Sequence, residues 1–250
     1  MRNSMAIFPI NLEEGVRDFT WSADSLLASI NSSAPTKEIF QTVCNEIGQF
    51  YQLKGFKYSP SARRLEYKYQ DFKCKIQFSS SHYNMAGKYV LMEINTGIYP
   101  LQLEKQYKAA KESVFPIILP NVNLLDEVIP GGEPGKVIGI SIFGETNEIK
   151  DTRYTIALRK HARSANIYNI DIDNFKKILK YINGVVCYSF KLVTDQKELA
   201  EYINSSFGER FYWLKDKRFV DYLNLYHSKD SDPYIAFLNR YKELEGKEFA

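Results

Sequence analysis

The chain has 250 residues, 44% of them hydrophobic and 25% charged, a balance that supports one large domain or two small ones around a buried core. A net charge of +3 implies no polyanionic partner by itself, and no apolar run reaches the length of a membrane span. The cysteines, Cys44, Cys74 and Cys187, are odd in number and far apart, which argues against a disulfide framework and for buried free thiols.

The apolar run from Met5 to Ile10 is short and broken by Pro9, so it makes no signal-peptide core, and a cytoplasmic location is expected. Residues 1–35 read as an N-terminal extension, with Ser22 capping a short helix that carries Leu26, Leu27 and Ile30. The first strong element is a helix from Lys37 to Lys54 with Thr36 as N-cap. Ile39, Phe40, Val43, Ile47, Phe50 and Tyr51 share one face, and Gly55 stops the helix.

Period-two alternation follows. Leu65, Tyr67 and Tyr69 point one way and Arg64, Glu66, Lys68 and Gln70 the other; Phe72, Cys74, Ile76 and Phe78 oppose Lys73, Lys75, Gln77 and Ser79. A turn at Gln70-Asp71 pairs Tyr69 with Phe72, Tyr67 with Cys74 and Leu65 with Ile76, so apolar meets apolar. The same register sets Glu66 against Lys75 and Lys68 against Lys73, with both lysines of the latter pair expected in solvent. A third strand runs from Tyr89 to Tyr99 with Val90, Met92 and Ile94 on its apolar face, and a helix from Leu103 to Val114 follows.

The middle carries Pro116, Pro120, Pro130 and Pro134, with short strands expected at Val137–Phe143 and Arg153–Leu158. Beyond it, Asp171 or Asp173 caps a helix with Phe175, Ile178, Leu179 and Ile182 on one face, stopped by Asn183-Gly184. Val185–Phe190 reads as a buried strand. Thr194 caps the next helix, ending near Gly208, and Asp216 caps another bearing Phe219, Val220 and Leu223. Asp232-Pro233 opens the last helix, whose apolar face is Tyr234, Phe237, Leu238 and Tyr241. The fold class is α+β: an N-terminal helix packed on an antiparallel β-meander, followed by a mostly helical C-terminal part. The expected units are 1–35, 36–150 and 151–250, with one continuous domain as the alternative.

No catalytic residue emerges. Gly135-Lys136 lacks the glycine spacing and the following helix of a phosphate loop. Helix–strand–strand–strand–helix–strand order is shared by many metal-dependent nucleases, and Glu66-Tyr67-Lys68 matches their E-x-K triplet, with Asp71-Phe72-Lys73 as a variant. The acidic residue their preceding strand needs is missing between Asp24 and Asp71. His82, His161 and His227 are scattered and read as surface residues; no metal site and no cofactor is expected. From Lys54 to Lys75 the net charge is +5, and Arg64, Lys68, Lys73 and Lys75 make a basic sheet face that could hold phosphates by charge. No aromatic platform interleaves them, so keeping an open sheet face soluble is the simpler reading. Phe211-Tyr212-Trp213 puts three aromatics in succession and is the candidate protein-binding patch.

Gly55-Phe56 closing the first helix, the hairpin with Tyr67 and Tyr69, and the strand ending Ile94-Asn95-Thr96-Gly97-Ile98-Tyr99 resemble an uncharacterised family of small bacterial domains of unknown function. The resemblance covers Asn45 to Tyr99. It implies a stand-alone bacterial cytosolic protein with a role in immunity or defence, and it assigns no site residue. The functional expectation is a non-enzymatic interaction protein with a protein partner and no membrane. A nucleic-acid binder using the basic face and a divergent metal nuclease are the alternatives.

Overall fold

A computed structural model describes residues 10–22, 24–28, 34–82, 84–114, 116–117, 164–204 and 216–245. The strands expected at Val137–Phe143 and Arg153–Leu158, the turn at Gly135-Lys136, His161 and the run Phe211–Trp213 lie outside these residues.

Helix α1 spans Thr36–Gln52. Thr36 does not cap it: Pro35 holds that position with no side-chain hydrogen bond, its fixed φ suiting the entry to a first turn. The far end closes as the sequence indicates. Gly55 sits at φ +83, where a Cβ would be strained, and donates to the Gln52 carbonyl while Phe56 donates to that of Tyr51.

The chain then builds a five-stranded antiparallel sheet in sequential order: β1 (Lys57–Ser59), β2 (Arg64–Tyr69), β3 (Phe72–Ser80), β4 (Leu91–Pro100) and β5 (Ser164–Asn166). The β2–β3 register is the expected one, Tyr69 opposite Phe72, Tyr67 opposite Cys74, Leu65 opposite Ile76, Glu66 opposite Lys75 and Lys68 opposite Lys73. Gln70 takes φ +51 to make the tight turn. Helix α2 (Leu101–Ala109) follows β4 directly.

Helix α3 runs unbroken from Ile172 to Thr194, with Asp171 as N-cap accepting from the Asn174 amide. This corrects two expectations. Asn183-Gly184 does not stop the helix, and Val185–Phe190 is helical, not a strand. The apolar stripe Phe175, Ile178, Leu179, Ile182, Val186, Phe190 and Val193 keeps helical spacing through Gly184, and burying that stripe outweighs a glycine penalty of about 1 kcal/mol. Asn183 is buried and faces inward. Its Oδ1 accepts from the Tyr51 hydroxyl at 2.6 Å, and its Nδ2 donates to the Leu12 carbonyl at 2.9 Å and to Glu13 Oε1 at 2.8 Å.

Helix α4 (Gln196–Asn204) is capped by Asp195, not Thr194, whose hydroxyl turns back to the Phe190 carbonyl. Helix α5 (Lys217–Tyr226) is capped by Asp216 as expected. Helix α6 (Asp232–Glu245) packs on α4; Phe237 is buried and Leu238, expected on its apolar face, is exposed. Cys44 and Cys74 are buried, whereas Cys187 is exposed, because helical geometry turns it outward between Val186 and Phe190.

One face of the sheet packs under α1 and α3, and a continuous apolar core joins them to α4, α5 and α6. Leu12 and Val16 from the N-terminal segment belong to that same core. Phe19 stacks on Phe175 with ring centroids 4.8 Å apart, and the Lys54 ammonium donates to the Glu14 carbonyl at 2.6 Å. Among the described residues no helix is long and apolar enough to cross a membrane.

Candidate functional site

The strand alternation that buries Leu65, Cys74 and Ile76 turns their neighbours to the sheet's second face. In register, that face carries the rows Lys57–Glu66–Lys75–Gly97, Arg64–Gln77–Asn95 and Lys68–Lys73–Tyr99. Tyr67 and Tyr69 lie on the opposite side, half-buried, Tyr67 stacked on Phe56 at 4.7 Å and both edge-on to Phe190.

The second face is not uniformly open. Helix α2 folds back over its β4 side and presents Glu104, whose two oxygens accept from the Lys73 ammonium at 2.8 and 2.6 Å. Lys108, one turn along, adds a third bond at 3.0 Å. Lys73 is therefore 8% exposed, which corrects the expectation that it lies in solvent. The register was right; the polar face is covered by a helix that brings its own countercharge. Burial works against the Glu104 charge, but the bonds from Lys73 and Lys108 and the charges of Lys73 and Lys75 outweigh it and hold the carboxyl below its ordinary value. A narrow cleft between α2 and the sheet, lined by Tyr99, Leu103, Glu104, Tyr107 and Val114, encloses no room for a water molecule.

Next to this buried pair the face stays accessible. Lys57 and Lys68 are exposed and Arg64 and Lys75 are half-buried. Arg64 pairs with Glu66 at 2.8 Å. The Lys75 ammonium lies 4.0 Å above the Tyr99 ring, a cation–π position, and 3.8 Å from a Glu104 oxygen. Lys57, Arg64, Lys68 and Lys75, with Glu66 among them, form a basic quadrant. Lys57 and Lys75 are two strand spacings apart, roughly 10 Å.

The residues singled out for nuclease chemistry are engaged elsewhere. Glu66 is held by Arg64, Asp71 accepts a hydrogen bond from the Tyr226 hydroxyl, and Lys73 is held by Glu104. The described residues contain no group of three His, Cys, Asp or Glu side chains placed to hold a metal ion. His82 is exposed. His227, expected at the surface, is half-buried at the end of α5, its Nε2 3.1 Å from the Tyr222 hydroxyl, and burial lowers its pKa. Glu104, Tyr99 and Tyr226 went unmarked in the sequence; the only local signal for Glu104 is the Lys108 partner four residues on.

No family model, curated protein or solved structure matches the chain.

Proposed function

We propose that the protein is a non-enzymatic binding protein of the bacterial cytoplasm, serving toxin immunity or defence, whose basic quadrant receives an acidic protein surface. The accessible quadrant of Lys57, Arg64, Lys68 and Lys75 carries this reading. The resemblance over residues 45–99 supports the biological setting. Phe211-Tyr212-Trp213 supplies the apolar anchor of the same reading on composition alone. The engagement of Glu66, Asp71 and Lys73 in intramolecular contacts favours binding over chemistry.

Nucleic acid is the second reading, because the same cations could meet phosphates. The quadrant's net charge of +3 gives a salt slope of only about −3, and the Tyr99 ring is occupied by Lys75 and offers no base-stacking surface. A photo-crosslinking residue placed at Lys68, with one at exposed Lys180 as control, decides between them in cells. An acidic protein crosslinked from position 68 alone, and lost in a Lys57→Glu variant, is the expected result. Crosslinked RNA or DNA would establish the second reading, and identical products from both positions would refute the first.

A further inference from the structure

We propose that Lys75, flanked by Arg64 and Lys57 on the second face of the sheet, is a binding site for a single carboxylate group of an acidic protein partner. This deepens the functional reading above and rests on it for the identity of the partner.

Around Lys75 four cations, Arg64, Lys73, Lys75 and Lys108, share two carboxylates, Glu66 and Glu104. Both carboxylates are committed. Glu104 accepts from Lys73 through both oxygens and from Lys108, and Glu66 is paired with Arg64. The Lys75 ammonium is 3.8 Å from the nearest carboxylate oxygen, beyond hydrogen-bond length, and makes no side-chain hydrogen bond to a described residue. Yet its side chain is only 20% exposed, and its ammonium is fixed over the Tyr99 ring. A half-buried cation that no carboxylate bonds directly, set amid a surplus of neighbouring positive charge, favours the approach of an anion. Burial and the charges of Lys73 and Arg64 lower the Lys75 pKa despite Glu104 and Glu66, so a further negative charge beside it would favour its protonated form. A monoanion suits the place better than a phosphate dianion, which Glu66 and Glu104 would both repel.

Acylation of the full chain at about pH 8.5, read lysine by lysine by mass spectrometry, tests the site, because only neutral amine reacts. Saturating hexaglutamate peptide is expected to slow Lys75 about fivefold by favouring its protonated form, while exposed Lys177 and Lys180 change less than about twofold. In Arg64→Gln, and separately in Lys57→Gln at an exposed position, about threefold more peptide is expected for the same protection. An unchanged Lys75 rate, or an equal slowing of Lys177 and Lys180, would show that no site exists. Protection by inorganic phosphate at lower concentration than by the peptide would overturn the carboxylate assignment. Protection of Lys75 with no acidic partner crosslinked from position 68 would leave the site standing and remove the functional reading; a crosslinked partner with Lys75 unprotected would do the reverse.

Discussion

Replacing Glu104 by Gln keeps the shape of the side chain and removes the charge that compensates Lys73. The ammonium sits 2.6 Å from one carboxylate oxygen and 2.8 Å from the other, in a residue 8% exposed. Breaking such a pair leaves the buried Lys73 charge uncompensated, and the low end of the usual range, about 3 kcal/mol, applies because the Gln amide oxygen can still accept one bond from its ammonium. For a chain of this size a urea m-value of about 3 kcal/mol/M turns that into a midpoint lower by roughly 1 M. Lys73→Met/Glu104→Leu, which removes both charges, is expected within about 1 kcal/mol of the parent or above it. The pH dependence has a fixed sign. The Glu104 carboxyl titrates below its ordinary value in the folded state, so its contribution is complete above the unfolded value, about 4.3, and is lost as pH falls through the lower folded value. The gap between parent and Glu104→Gln is therefore constant from neutral pH down to about 5 and closes below it. A loss under about 1 kcal/mol for Glu104→Gln, the worth of an exposed pair, would refute burial of this contact.

Three further outcomes are expected. Asn183→Leu takes the closer acceptor from the buried Tyr51 hydroxyl, which keeps the Leu179 carbonyl at 3.0 Å, and leaves the Leu12 carbonyl without its donor, so denaturation should register a loss of about 1–3 kcal/mol, with Tyr51→Phe costing less. Gly48→Ala puts a Cβ 2.3 Å from the Tyr58 ring, so it should cost about 1–3 kcal/mol, most of it recovered when Tyr58→Ala is added. In the native protein a thiol reagent should titrate Cys187 first; Cys44, whose thiol burial pushes up to about 12, and fully buried Cys74 should react only on unfolding, as peptide mapping of the modified chain would show.

Much of the fold was legible because its signals are local and repeated. In β2 and β3 two alternating runs meet across a short turn, and a slip of one residue would set Leu65 and Cys74 in solvent, so the register follows from the pattern alone. Helix α1 has an equally clear stripe and a glycine stop. The failures came where tertiary contacts override local rules. Asn183-Gly184 has the composition of a helix end, but Asn183 is spent on Tyr51, Leu12 and Glu13, partners that sequence neighbours do not reveal. Val185–Phe190 is apolar enough for a strand and belongs to a helix because its residues continue the stripe begun at Phe175. β1 and β5 are three residues each, too short to show a period.

The candidate site was legible to the same depth. Alternation states which strand residues share the polar face, and Arg64, Lys68, Lys73 and Lys75 do share it. It does not state whether that face is wet. Water reaches Lys68 and is excluded from Lys73 because α2 returns over one side of the sheet and not the other, a consequence of the chain turning at Pro100 straight into a helix. Once there, a helix laid on a row of lysines must bring a carboxylate or leave buried charge uncompensated, and Glu104 does so for Lys73. One carboxylate cannot serve every cation it meets. Lys75, two residues along β3, stands 3.8 Å from the same carboxylate, so the contact that anchors α2 to the sheet also leaves beside it the more loosely paired cation at which the proposed site is placed.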